Sequence, residues 1–133
     1  MNNLVNVSEG SYLALHGLAL IAQRSPERMN VKTLARLLHA SEAHLAKVFQ
    51  KLSKADLVKS VRGPAGGFEL NQPAEDISFL EIFEILEGKV ILGNCPFGKL
   101  NCYFNSCIFN KELNRISLDI YETFKHIKLS DYQ

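Results

Sequence analysis

NVKTLARLLHASEAHLAKVFQKLSKADLVKSVRGPAGGFEL, residues 30–70, contains the pattern that specifies the fold of this chain. It holds two apolar runs spaced i, i+3, i+4 and i+7, each of which predicts a helix with one buried face. The runs are Val31, Leu34, Ala35 and Leu38, then Leu45, Val48, Phe49 and Leu52. Ser41 lies between them and is a good N-cap. Two short helices joined by a short turn predict a helix-turn-helix, whose second helix enters the DNA major groove.

The residues after the second helix predict a small β-hairpin. Leu57, Val58 and Val61 make residues 57–61 apolar and β-branched enough to predict a short strand, and residues 68–70 return the chain. Between them, residues 62–67 hold three glycines and a proline, so they predict a turn at the tip. The resulting fold class is mainly α with a small β wing, a winged helix-turn-helix.

Basic residues follow the predicted second helix and the wing. They are Lys47, Lys51, Lys54, Lys59 and Arg62, with Asp56 as the single acid between them. Any one of these lysines is more simply explained as part of a solvated helix face. Together with a wing, however, the set predicts a surface that binds DNA phosphates.

DNA contacts concentrate near the start of such a recognition helix, so the candidate residues there and on the wing can be named. They are Ser41, Glu42, Ala43, His44, Lys47, Lys51, Lys59, Arg62 and Gly63. Ala43 and Ala46 can touch a thymine methyl group but neither donate nor accept a hydrogen bond. Phe49 and Phe68 are more simply core residues than stacking platforms.

The sequence around the turn and wing resembles the signature of the Rrf-two family of bacterial regulators. The resemblance is carried by SEAHL at 41–45 and by LSKADLVKSVRGPAGGF at 52–68, and it extends from about Ser8 to the C-terminus. It implies a homodimer that reads a pseudo-palindromic operator, and a transcriptional regulator rather than an enzyme. Asp56 departs from the family's usual glycine, and we expect it to take the left-handed conformation that ends a helix.

Composition and charge set the wider expectations. Residues 1–73 hold nine Lys/Arg and five Asp/Glu, and residues 74–133 hold six and nine, so the first part is the basic one. We expect residues 1–73 to form the DNA-binding domain and 74–133 to provide a helix, a cysteine loop at 89–107 and a dimerisation helix. No apolar run is long enough for a membrane span and no secretory signal is visible, so a cytoplasmic protein is expected.

Three further helices are predicted outside the helix-turn-helix. The first covers residues 11–22, with Tyr12, Leu15, Leu18, Ala19 and Ala22 as its buried stripe. The second begins after Ser78, whose spacing from Glu81 predicts a capping box, buries Phe79, Ile82, Phe83 and Leu86, and ends at Gly88. The third is a long amphipathic helix from Cys107 onward, whose apolar face is expected to pack against its copy in the partner subunit.

Three cysteines form the most informative chemical pattern, Cys95-x6-Cys102-x4-Cys107. Thiolates select soft metals or iron–sulfur clusters, but neither gap is the Cys-x2-Cys spacing of a zinc ribbon. Incidental thiols are the simpler alternative. The family resemblance implies that these cysteines hold an iron–sulfur cluster, 2Fe-2S or 4Fe-4S, that senses redox, iron or nitric oxide status.

A cluster needs a fourth ligand, which the cysteine loop does not contain. Some members of the family resembled use a histidine three residues after the last cysteine, where this chain has Asn110. Others use a residue of the first helix, which makes His16 a candidate and Glu9 a weaker one. His16 is equally well explained as a helix histidine bonded to a backbone carbonyl.

Two alternatives to a cluster-based regulator remain open from the sequence. The first keeps the fold and makes the protein a cluster-free regulator that responds to thiol redox state or to a small molecule. The second is a thiol or electron-transfer enzyme, which is disfavoured because the chain has no Cys-x-x-Cys pair, no βαβ pattern and no phosphate-binding loop.

Overall fold

The computed structural model describes residues 5–93, 95 and 102–133, and it confirms the winged helix-turn-helix. Of the predicted cysteine loop, residues 94 and 96–101 lie outside the described residues. The helices and strands are α1 (Glu9–Arg24), α2 (Val31–Leu38), α3 (Glu42–Lys54), β1 (Val58–Val61), β2 (Gly67–Leu70), α4 (Phe79–Glu87) and α5 (Glu112–His126), with 3-10 turns at Ala74–Asp76 and Leu129–Tyr132.

The two helices of the helix-turn-helix begin at side-chain caps. The Asn30 side chain accepts a hydrogen bond from the Thr33 backbone N–H at 2.8 Å, and the Ser41 hydroxyl accepts one from the His44 N–H at 3.1 Å. These caps satisfy backbone donors that the first turn of a helix leaves free. His39 ends α2 in the left-handed conformation, with φ 52°. The turn between α2 and α3 is therefore fixed by local backbone chemistry.

The wing is a two-stranded antiparallel sheet. Its register runs from Val58 opposite Leu70 to Val61 opposite Gly67. Asp56 has φ 59°, so the prediction that it ends α3 in the left-handed region is confirmed. Gly67 has φ 139°, and a Cβ at this position would lie 2.8 Å from the backbone of Met29, which forms a bridge with Phe68. Only glycine fits there, because the wing is anchored against the chain before α2.

Helix α1 lies at the centre of the core, packed against α3, α4 and the wing. Leu15, Leu18 and Ala22 are buried as predicted, but Tyr12 is 55% exposed, so its place in the buried stripe was wrong. Packing on several sides of α1 widens its buried face to include Ser11, Leu13, Ala14 and Ile21. Tyr12 falls outside that face and stacks on His16 instead.

Helix α4 begins at Ser78, whose hydroxyl accepts a hydrogen bond from the Glu81 N–H at 3.1 Å, and it ends before Gly88 as predicted. Leu80 and Ile82 are buried, whereas the predicted Phe79, Phe83 and Leu86 are half-buried. Helix α5 begins at Glu112 rather than at Cys107. The reason is that Asn110 and Lys111 both have left-handed φ angles, which interrupt a helix.

The chain after α5 returns to the core. The Leu129 N–H donates to the Ile77 carbonyl at 2.9 Å, and the Phe79 N–H donates to the Ile127 carbonyl at 3.0 Å. Leu129 is fully buried in the same core as α1. Residues on both sides of the expected domain boundary at 73/74 therefore share one core, while the boundary itself stays a prediction. Among the described residues, no helix is long and apolar enough to cross a membrane.

Candidate DNA-binding face and cysteine pocket

The recognition helix α3 has one buried and one exposed face. Leu45, Val48, Phe49 and Leu52 are at most 3% exposed. The predicted DNA-contacting residues on the other side are exposed: Ser41, Glu42, Ala43, Lys47 and Lys51. His44 is half-buried, and its Nδ1 lies 3.8 Å from the Glu9 carboxylate of α1. The burial of one face against α1 thus holds the other face outward, where a DNA groove can reach it.

The wing tip presents Arg62 and Gly63, both exposed as a DNA contact requires. Lys59 was predicted to contact DNA, but its side chain is paired with a carboxylate: its Nζ lies 3.0 Å from Glu69 Oε1. The other oxygen of the same carboxylate, Glu69 Oε2, accepts a hydrogen bond from Arg28 Nε at 2.8 Å. Hydrogen bonding from Lys59, together with the charges of Arg28 and Lys59, holds the pKa of the Glu69 carboxyl below its ordinary value. The wing therefore carries a carboxylate between two cations.

Sequence reasoning missed both Arg28 and Glu69. The signal for Glu69 was available, because the hairpin register places it directly opposite Lys59, and opposite charges on facing strands attract. No such signal was available for Arg28, because this residue lies outside the helix-turn-helix and the wing in the sequence. Its guanidinium also approaches the Ala65 carbonyl at the tip, with Nη1 at 3.5 Å.

A second basic feature lies beside the recognition helix. Lys32 and Arg36, one turn apart on α2, line an open groove of about 520 Å³ together with Ala40 and Glu42. Both basic side chains are exposed. The first helix of a helix-turn-helix crosses the DNA backbone, so these residues extend the basic face beyond the residues predicted from sequence.

The three cysteines are free, exposed and line one pocket of about 440 Å³. Apolar and aromatic side chains complete its lining: Tyr103, Phe104, Ile108 and Phe109. Within the described residues, no group of three His, Cys, Asp or Glu side chains is close enough to hold a single metal ion. The structure thus brings Cys95, Cys102 and Cys107 to one cavity without converging them on one point.

The Cys107 thiol lies beside backbone N–H groups of the turn that leads into α5. The backbone N–H of Lys111 and, to a smaller extent, that of Phe109 lower the pKa of the Cys107 thiol through hydrogen bonding. N–H groups at the start of a helix favour negative charge, so a thiolate is stabilised at this position.

His16 does not line the cysteine pocket of its own chain. It is exposed on α1, where its Nδ1 lies 2.8 Å from the Tyr12 carbonyl and its ring stacks on that of Tyr12 with centroids 3.9 Å apart. Glu9 faces His44 of the recognition helix. The role of either residue as a fourth ligand stays a prediction, and in the described part of one chain no hydrogen bond or ion pair joins them to the cysteines.

A helix-turn-helix with an exposed basic recognition face and a wing with a cation at its tip define a winged-helix DNA-binding protein. The chain belongs to the Rrf2 family, described as an iron-dependent transcriptional regulator, which it matches over residues 7–132. It is therefore an Rrf2-family transcriptional regulator, as the resemblance of residues 41–45 and 52–68 predicted.

Three relatives illustrate the range of the family. The chain is 27% identical to the HTH-type transcriptional regulator NsrR of Oceanobacillus iheyensis, over 96% of this chain and 88% of that protein. Among solved structures it is similar to T. potens IscR, with a TM-score of 0.77 and 26% identity over 96% of this chain and 85% of the other. It is also similar to CymR, named the global cysteine regulator of B. subtilis, with a TM-score of 0.74 and 25% identity over 96% of this chain and 95% of the other.

Proposed function

We propose that this protein binds a pseudo-palindromic operator as a homodimer and that the state of its three cysteines sets its affinity for that DNA. The recognition helix α3 would enter the major groove, with Lys47 and Lys51 on its exposed face. Arg62 on the wing would reach the minor groove or the phosphate backbone, and Lys32 and Arg36 of α2 would contact phosphates.

The exposure of apolar residues on α5 supports the homodimer. None of the residues of this helix is buried: on its apolar face Ile116 is 41% exposed, and Leu113 and Ile120 are only half-buried. An amphipathic helix that leaves such residues open to water gains stability by packing against a second copy. Two recognition helices related by a two-fold axis would then read two half-sites of an operator.

We infer that Cys95, Cys102 and Cys107 hold an iron–sulfur cluster, and the observation that carries this inference is their shared pocket. The donor set fits, because thiolates are the ligands of such clusters and a cluster is larger than one metal ion. The surrounding apolar side chains would limit access of water, and the N–H groups that lower the pKa of Cys107 favour its thiolate form. When bound, a cluster would supply a redox-active centre.

The fourth ligand proposed is His16 of the partner subunit. His16 is exposed, and within its own chain it lies outside the cysteine pocket, so a contribution across the dimer is the arrangement that would use it. Its Nδ1 engages the Tyr12 carbonyl, which would leave Nε2 to bind iron. A His16→Ala variant that kept full cluster content and an unchanged visible spectrum would remove this assignment.

A second candidate function is regulation by thiol chemistry without a cluster. The observation that favours it is that the thiols do not converge on one point, while the pKa of Cys107 is lowered. A lowered pKa raises the fraction of reactive thiolate at neutral pH, as a redox-sensing cysteine requires. The similarity to a structure named as a cysteine regulator is consistent with this alternative.

One experiment separates the two functions. Protein purified without oxygen is assayed for its visible spectrum, iron and acid-labile sulfide, beside a Cys102→Ala variant as control. A coloured, sulfide-containing wild type and a colourless variant would support the cluster. Colourless wild-type protein whose DNA affinity changes on thiol oxidation would support the cluster-free alternative. Absence of salt-dependent DNA binding in every state would contradict both.

A further inference from the structure

Glu87, the last residue of α4, lies where three helices meet. Its carboxylate accepts hydrogen bonds from two serine hydroxyls of the α1 N-terminus, those of Ser8 and Ser11, the second at 2.7 Å. Ser8 is the N-cap of α1, since its hydroxyl also accepts from the Ser11 N–H at 3.1 Å. Ser11 is fully buried. The end of α4 is thus tied to the start of α1 by a carboxylate that bonds both the cap and a buried hydroxyl.

The same carboxylate is close to the recognition helix. The positive charge of Lys51 contributes to lowering the pKa of Glu87, after the larger effects of the Ser8 and Ser11 hydrogen bonds. The N-terminal part of α1 also borders α3 directly, with Glu9 3.8 Å from His44. A movement of the α1 N-terminus would therefore change the position of the α3 face that we assign to DNA.

The end of α4 is also where the cysteine-containing segment begins. Gly88 follows Glu87 directly, and the Val90 N–H donates a hydrogen bond to Glu84 Oε2 at 2.8 Å. Lys89 lies 3.7 Å from the other oxygen of Glu84. The first residues of the segment that leads to Cys95 are thus held on the same turn of α4 that carries Glu87.

We propose that Glu87 is a positioning residue that links the state of the cysteine segment to the orientation of the recognition helix, through Ser8 and Ser11. This inference rests on the proposed function, because it requires that cysteine chemistry alters DNA affinity. Among the described residues, no hydrogen bond joins Glu87 to a cysteine or to the exposed face of α3. It acts by fixing the end of α4 to the start of α1, against which α3 packs.

The test compares DNA affinity in two defined cysteine states. Protein is used either as purified without oxygen or, after removal of any bound metal, reduced and alkylated with iodoacetamide, and its Kd is measured by fluorescence anisotropy on a duplex selected from a random library with wild-type protein. We expect the ratio of the two Kd values to be about fivefold or more for wild type. For Glu87→Ala we expect a ratio of about one, because the link between α4 and α1 is lost.

Two further variants make the result specific to the hydrogen bonds. Glu87→Gln keeps an oxygen that accepts from both serines, so it should keep the wild-type ratio. Glu75→Ala is the matched control, an exposed glutamate whose side chain forms no hydrogen bond or ion pair among the described residues, and it should also keep the ratio. A change in the charge near Lys51 alone would alter both Kd values by the same factor and leave their ratio unchanged. Ser11→Ala replaces Glu87→Ala if thermal unfolding shows that the latter does not fold.

The possible failures are distinguishable. A wild type that selects no duplex contradicts the proposed DNA binding, and a wild type with a ratio of one contradicts sensing by the cysteines. If the ratio of the two Kd values is well above one in wild type and is the same in Glu87→Ala, the role of Glu87 alone is overturned. Equal loss of the ratio in Glu87→Gln and Glu87→Ala would also overturn it, because the hydrogen bonds would then not be responsible.

Discussion

Replacing Leu129 by alanine should destabilise the whole protein, although this residue lies only four positions from the end of the sequence. Its side chain is fully buried in the core that α1 also fills. Removing the buried methylene and methyl groups costs about 2 kcal/mol in transfer free energy, at roughly 0.8 kcal/mol for each. The cavity adds to this value, because the backbone hydrogen bond to Ile77 prevents the segment from collapsing into the space.

We therefore expect the free energy of unfolding to fall by about 3 kcal/mol, within the range of about 2–5 kcal/mol for buried Leu→Ala changes. The assay is urea unfolding followed by far-ultraviolet circular dichroism. Wild type and variant are compared at one protein concentration, because the proposed dimerisation would make stability depend on concentration. The melting temperature should fall by roughly 10 °C.

The matched control is Leu37→Ala, since Leu37 is a helical leucine that is 40% exposed. It should lose less than about 1 kcal/mol. A loss below about 1 kcal/mol for Leu129→Ala would refute the conclusion that the segment after α5 is part of the core. It would mean instead that this segment separates from α1 at little cost.

Three further predictions concern the wing and the thiols. Arg62→Ala should weaken DNA binding and reduce the slope of log Kd against log salt concentration by about 0.9, the value for one phosphate contact on B-DNA. Arg24→Ala, an exposed arginine at the end of α1, is the control and should leave the slope unchanged. The pKa of Glu69 is lowered by its pairing with Lys59, so the stabilisation from this pair should be present above the ordinary carboxyl pKa and be lost as the pH falls through the lowered one. A Glu69→Gln variant should lack this part of the pH dependence of stability. An identical dependence of stability on pH in variant and wild type would contradict the prediction. Cys107 should react with iodoacetamide faster than Cys102 at neutral pH, because hydrogen bonds lower the pKa of Cys107. Mass spectrometry of the peptides follows the two reactions. Equal rates would show that the Cys107 thiolate is not stabilised.

Local patterns in the sequence were sufficient for the helix-turn-helix and the wing. Apolar spacing, the Ser41 cap and the glycines of the tip each act within a few residues, so they are visible in a short segment and were confirmed. The left-handed φ angle of Asp56 was predicted for the same reason, since it follows from ending a helix before a strand. The exposure of the α3 basic face could also be predicted, because it is the opposite face of the apolar stripe.

Tertiary structure alone decided the features that depend on residues distant in the chain. Tyr12 lies outside the core because α1 is covered on several sides, which a single-stripe pattern does not express. Arg28 reaches Glu69, 41 residues away, and Ser11 reaches Glu87, 76 residues away, only because packing brings their helices and strands together. The common pocket of the three cysteines is likewise a property of the folded chain. Periodicity and caps are encoded by neighbours in sequence, whereas these contacts arise from the shape of the whole core.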